Sequence, residues 1–293
     1  MVPPEYLKRL HRVEVRSRLV SQALMAGQCD SLFKGRGIDF VDVREYSPGD
    51  DVRRIDWNVS LRLRKTFIKR HVEERELTVL VLVDLSASGH FGTGGVTKRE
   101  LAAEIAGTLA LSAVRNHDRV GLILFAREVE HYLPPRKTHL HVQRLLRDLL
   151  MHTPRHRGTG LRAALEFAAR VTHRPALLFL LSDFHDTGFE SALKTVNQRH
   201  DVLAVQLSDP RERHLPDVGL ALVEDAESGE TLEVDTGDPA VRAAFARAAQ
   251  ERQAALREVF HQAGVAHLEL LSDQPWAAPL RGFLARQNRR RVA

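Results

Sequence analysis

Residues 77–83 run Leu-Thr-Val-Leu-Val-Leu-Val, almost without a polar position, and then meet Asp84. A continuous β-branched and leucine run predicts a strand buried on both faces, hence central and parallel in its sheet. Residues 97–116 switch to helical spacing. Leu101, Ile105, Thr108, Leu109 and Ser112 share one face there, with Thr97 as cap and Glu100 three positions on. The unit then recurs: 120–125 predicts a strand, 139–151 and the Ala-rich 161–171 predict helices, and 176–181 predicts a second buried strand. A helix over 189–199, a strand over 202–207, a hairpin within 224–235, a long helix over 240–263 and a last strand over 267–271 complete the series. Such alternation predicts an α/β fold, an open, mostly parallel, doubly wound sheet of Rossmann type with helices on both faces.

Residues 1–76 do not keep that rhythm. A basic amphipathic helix over 7–24 is followed, over 35–70, by alternating and turn-like sequence. The chain therefore divides into an N-terminal accessory region (1–76), the sheet domain (77–275) and a basic C-terminal tail (276–293). The length of 293 residues agrees, since one core of up to about 200 residues leaves a remainder of this size. The net charge of +5 is too mild to predict a nucleic-acid partner. Cys29 is the only cysteine, so no internal disulfide forms, and a reducing, cytoplasmic setting is expected. Charges at Glu5, Lys8, Arg9, Arg12, Glu14, Arg16 and Arg18 break any signal-peptide core, and no apolar run approaches the roughly 18 residues of a membrane span.

In an open parallel sheet, ligands bind at the carboxyl ends of the strands, where loops diverge and helix N-termini point inward. The first buried strand runs into Asp84-Leu-Ser86-Ala-Ser88 and the second into Ser182-Asp183, while Arg157-Gly-Thr159-Gly160 opens the Ala-rich helix. Two carboxylates and three hydroxyls are hard oxygen donors, which suit Mg2+ or Mn2+, with Ca2+ as a further choice, over zinc or copper.

Asp84-x-Ser86-x-Ser88, then Thr159, then Asp183, each at a strand end or helix start, resembles the metal-ion-dependent adhesion site of von Willebrand factor A domains. The resemblance implies that Ser86, Ser88 and Thr159 contact the metal and that Asp84 and Asp183 act directly or through water. A partner protein's carboxylate would fill the open position. Gly160 stands where such domains often carry an acid. Further upstream, Arg44-Glu-Tyr46-Ser-Pro48-Gly49-Asp50-Asp51-Val-Arg53-Arg54-Ile-Asp56-Trp57 resembles the signature of the prokaryotic family called domain of unknown function fifty-eight. Ser182-Asp183-Phe184 and Asp209-Pro210-Arg211-Glu212 fit it too. That resemblance implies a MoxR-type AAA+ ATPase as partner and an adaptor role in assembly or maturation of other proteins, not catalysis. Many members carry N-terminal membrane helices. This chain resembles a short, soluble member, with peripheral recruitment through partners.

Other signals carry less. Pro48-Gly49 suits a type II turn, and acids alternating with Arg44, Arg53 and Arg54 would order that loop, as a structural turn or a partner-docking one. The glycine-rich 91–98 segment lacks the Gly-Lys-Ser/Thr of a phosphate loop and reads as a flexible loop beside the site. Asp84 as the nucleophile of a Mg2+-dependent phosphohydrolase lacks a second acid two residues on, where Ser86 stands. His139, His141, His152 and His156 read as solvated surface histidines. The basic Arg53 to Arg70 stretch, with Trp57 and Phe67, permits nucleic-acid binding but carries no recognised motif.

Overall fold

The computed structural model describes residues 4–25, 42–70, 76–93, 95–224 and 229–292. Cys29 and residues 35–41 lie outside these. The described chain forms two compact units, Lys34–Leu77 on the one hand and Met1–Phe33 with Thr78–Ala293 on the other.

The larger unit is built on six strands: β3 (Thr78–Asp84), β4 (Arg119–Phe125), β5 (Val129–Arg136), β6 (Leu177–Ser182), β7 (Asp201–Ser208) and β10 (Ala266–Leu271). Their order is β10-β7-β6-β3-β4-β5, parallel except for the edge strand β5. The mixed α/β class with a mostly parallel central sheet is thus as the periodicity predicts. β3 and β6 are buried over nearly their whole length, which is why both read as unbroken apolar runs. Strand β5 has no counterpart in the sequence reading, because Pro134-Pro135 argues against a strand. At a sheet edge, the missing N–H groups cost no ladder bond.

Helices α5 (Leu161–Val171), α6 (Glu190–Arg199) and α7 (Pro239–Ala263) share one core with the sheet. Leu80, Leu82, Ile123, Phe125, Leu178 and Leu180 meet Leu161, Leu165, Leu193 and Phe260 there. Helix α3 (Lys98–Arg115) starts on a Thr97–Glu100 capping box and is buried almost all round. Two more helices pack against it, α1 (Pro4–Met25) and α4 (His139–Met151). Ser17 Oγ donates to the Glu104 carbonyl at 3.0 Å, and a Cβ on Gly107 would lie 2.6 Å from that hydroxyl oxygen. The first helix of the accessory region therefore groups with the sheet, and residues 34–77 alone make the second unit.

The segment read as a basic tail is instead helix α8 (Ala277–Val292). Leu280, Phe283 and Leu284, at helical spacing, are buried, and Trp276 Nε1 donates to buried Glu104 at 3.0 Å. The arginines dominate its composition, yet one apolar stripe suffices to dock it. Between β7 and α7, β8 (Leu220–Glu224) and β9 (Thr231–Asp235) form a hairpin, whose first strand starts ahead of the predicted 224–235.

The smaller unit pairs β1 (Asp42–Glu45) with β2 (Phe67–Arg70) around α2 (Trp57–Leu63). Asp50 N donates to Ser47 O at 3.1 Å, closing the Pro48-Gly49 turn. Arg44 pairs with Asp50 at 2.6 Å, while Asp51 and Asp56 accept backbone N–H bonds as caps. One ion pair and two carboxylate caps on backbone N–H groups thus order the loop, rather than a series of alternating pairs. Among the described residues no helix is long and apolar enough to cross a membrane.

Candidate functional site

The chain leaves β3 for β4 and β5 on one side and later crosses to β6, β7 and β10 on the other, so the topological switch lies between β3 and β6. The crevice outside those two carboxyl ends is where a doubly wound sheet offers a ligand site. Asp84 ends β3 and Asp183 follows Ser182 at the end of β6, so the register of the two strands brings both acids to it.

A small cavity of about 10 Å³ is lined by Asp84, Ser86, Ser88, Lys98, Ser182 and Asp183, among others. That is room for about one water-sized occupant. Asp84 Oδ1 accepts from Ser86 N at 2.8 Å and Oδ2 from Ser182 Oγ at 2.6 Å, which fixes the carboxylate plane. Ser86 Oγ and Ser88 Oγ are 2.9 Å apart, and the Ser88 hydroxyl also bonds Asp183. Four of the five residues singled out by sequence thus share one wall. Thr159 is half-buried before α5 and does not line this cavity. Its neighbour Gly160 presses on the turn after β4, where a Cβ would lie 2.1 Å from the Arg127 carbonyl oxygen, so an acid has no room there. Asp186, three residues past Asp183, accepts from Leu161 N at 2.8 Å and caps α5 in place of Gly160.

The residue that sequence reasoning missed is Lys98. Only 2% exposed, it directs Nζ to Asp183 Oδ2 at 2.7 Å and to Glu212 Oε1 at 2.5 Å. Glu212 in turn accepts from Asp209 N, and Asp209 accepts from Thr93 N, Thr93 Oγ1 and Ser272 Oγ. The Asp209-Pro210-Arg211-Glu212 motif is therefore a capped turn that holds a counter-charge to Lys98. The same bonds pin the 91–98 segment at Thr93, contrary to its reading as a flexible loop. A signal for Lys98 existed: a lysine at the first position of a helix opposes the macrodipole and calls for acids nearby.

The charges follow from these contacts. Burial raises the Asp84 pKa and the Asp183 charge raises it further, to about 7, against the opposing Ser182 and Ser86 hydrogen bonds. For Asp183 burial also acts upward, but the Lys98 ammonium, then His185 and the bonds from Lys98 and Ser88, outweigh it and hold the carboxyl below its ordinary value. Burial works against the Lys98 charge, and Asp183 and Glu212 more than offset it. Asp84 is thus the buried carboxylate whose oxygens are met by neutral donors.

Among the described residues no three His, Cys, Asp or Glu side chains gather into a metal cluster. The histidines read as solvated are in part buried. His141 Nε2 lies 2.9 Å from Val120 O, and His152 and His156 face Glu130 at 3.7 and 2.9 Å, because β5 brings that acid beneath them. The donor set at the sheet edge fits a hard divalent cation in kind: Asp84 and Asp183 carboxylates with Ser86 and Ser88 hydroxyls, around a volume suited to one small ion.

Comparison with known proteins agrees with this architecture. A family model described as "Protein of unknown function DUF58" matches residues 42–255. The uncharacterized proteins Mb1516 of Mycobacterium bovis and Rv1480 of Mycobacterium tuberculosis are each 31% identical over 293 residues, covering 99% of this chain and 92% of theirs. Among solved structures, an aerotolerance-related membrane protein from Bacteroides fragilis superposes with a TM-score of 0.51 at 15% identity, over 73% of this chain and 99% of its own. The conserved hypothetical protein BatB from Bacteroides thetaiotaomicron gives 0.50 at 15% identity, with the same coverage. At that identity the likeness is one of fold.

Proposed function

Because the chain belongs to the family described as protein of unknown function DUF58, we propose from its own residues that the Asp84–Asp183 edge is a divalent-cation-dependent protein-interaction site of von Willebrand A type. The observation that carries this reading is Asp84 itself. It is buried beside a second carboxylate and bonded to neutral donors, so it gains from a positive centre at the cavity.

Asp84, Ser86, Ser88 and Asp183 would hold the ion, Mg2+ by preference and Mn2+ or Ca2+ as substitutes. Thr159 belongs to the set on its sequence position. When bound, the ion supplies an electrophilic centre for a carboxylate oxygen of the partner. The protein's own groups prepare that exchange. Ser182 and the Ser86 N–H orient Asp84, and Lys98 neutralises Asp183, leaving few anionic charges to saturate the ion. A neighbouring cavity of about 800 Å³, lined in part by His185, Glu212 and Arg213, gives room for a partner segment beside it.

On this reading the protein is an interaction module and not an enzyme, working with a MoxR-type AAA+ ATPase as an adaptor in assembly or maturation of other proteins, in the cytoplasm or recruited peripherally to a membrane. Co-purification with the MoxR-type ATPase of the same organism tests it. Capture in Mg2+ that is lost in EDTA and in Asp84→Ala is the expected result, and capture indifferent to both overturns it. Mg2+-dependent hydrolysis of phosphate esters, abolished by Asp84→Asn, would instead assign Asp84 to a phosphohydrolase.

A further inference from the structure

The β8–β9 hairpin is chemically unlike the rest of the chain. Its described residues, 217–224 and 229–238, contain six acids, of which Asp217 pairs with Arg242, and no Lys, Arg or His, in a protein whose net charge is +5. The hairpin also presents its leucines to solvent. Leu220, Leu222 and Leu232 are 69%, 77% and 68% exposed, with Val218 and Val223 beside them. Leu220 and Leu222 share one face, while Val223 and Leu232 stand opposite each other on the other face. Among the described residues neither strand pairs with any other, so both edges are open and the two-stranded ribbon is marginal by itself. A surface that combines open strands, apolar side chains and acids marks an interaction site, and the partner it fits is apolar and basic.

The smaller unit carries a surface of that chemistry. Val52, Trp57, Leu61 and Leu63 are 62%, 63%, 77% and 56% exposed, with Trp57 and Leu61 one turn apart on α2. Arg53, Arg62 and Arg64, next to them in sequence, are exposed too, while Lys65 pairs with Glu45. Both surfaces therefore pair large exposed apolar side chains with charge, and the signs are opposite.

We propose that the acidic hairpin of one molecule docks on the basic Trp57 surface of a second copy of the same chain. Two copies with equal net positive charge repel overall, and the acidic island supplies the attraction that overcomes this at one place. The contact joins two different patches, so each added copy leaves one hairpin and one Trp57 surface unused. Association is head-to-tail and continues beyond the dimer, unless the rotation between copies closes a ring. This inference does not rest on the cation site, which lies in the β3–β6 crevice.

Sedimentation of the full chain across a concentration series tests it. The mass should rise steadily with concentration, and raising NaCl from about 50 to about 500 mM should weaken association several-fold. Leu222→Lys and Leu61→Glu alter side chains that are each 77% exposed, so neither touches the core. Each variant alone should associate at least tenfold more weakly than the wild type. An equal mixture of the two retains one intact hairpin and one intact Trp57 surface, and should form a one-to-one dimer that grows no further. A wild type that stays monomeric throughout overturns the proposal, as does a mixture that fails to restore the dimer or a single variant that associates as the wild type does.

Discussion

Asp84 and Lys98 face the same buried carboxylate, which raises the pKa of both and so favours the neutral form of the acid and the charged form of the amine. Asp183 repels the Asp84 charge and attracts that of Lys98, so one edge of the sheet holds a proton-accepting acid beside a fixed ammonium. A consequence for stability follows from linkage. Asp84 titrates near 7 when folded and near 4 when unfolded, so between those values the folded state keeps a proton that the unfolded state has lost. Its contribution is full below about pH 4, falls as pH rises to about 7 and stays low above that. In EDTA, thermal melts of wild type and Asp84→Asn should therefore diverge across this window, the variant gaining about 2–4 kcal/mol relative to wild type by pH 8. A difference between the two that stays flat from pH 4 to pH 8 would refute the raised pKa. At this scale the acids and serines were legible, because uninterrupted strands run straight into them. Lys98 was not, since its partners lie 85 and 114 residues away and no local pattern announces a contact of that span.

Helices and strands were legible in proportion to how uniform their environment is. β3 and β6 are buried on both faces and their apolar runs say so, whereas β5 and α8 are edge and surface elements whose prolines and arginines mask the few residues that dock them. The amphipathicity of α1 was visible, but its place was not: small residues on two helices set it. Ser17 and Ser21 of α1 are fully buried against α3, Ser21 Oγ accepts from Ser112 Oγ at 3.2 Å, and Gly107 leaves the space for the crossing. A methyl group at Gly107 would also come within 2.9 Å of Leu146 on α4. Gly107→Ala should therefore destabilise the protein by about 1–3 kcal/mol, although alanine is the better helix former. Chemical denaturation reads this directly, and a stability equal to or above wild type would contradict the close three-helix packing.

At the scale of the whole molecule, the sheet concentrates its chemistry at one edge and the surface divides its charge unevenly. A mostly parallel sheet has helices covering both faces, so the carboxyl edge is where buried strand ends, loops and solvent meet. That placement was readable from the two buried apolar runs and the motif residues that end them. What the chain alone did not disclose is the internal counter-ion, a buried ammonium that Asp183 and Glu212 share. Lys98 is committed to Asp183 and Glu212, so on the proposed reading the positive partner of Asp84 is a cation taken from solution. Calorimetric titration of the full chain with MgCl2 at pH 8, beside Asp84→Ala under the same conditions, measures this most directly. Saturable, single-site heat in the wild type that disappears in the variant is the predicted result, and equal, negligible heats in both would contradict the cation-dependent site.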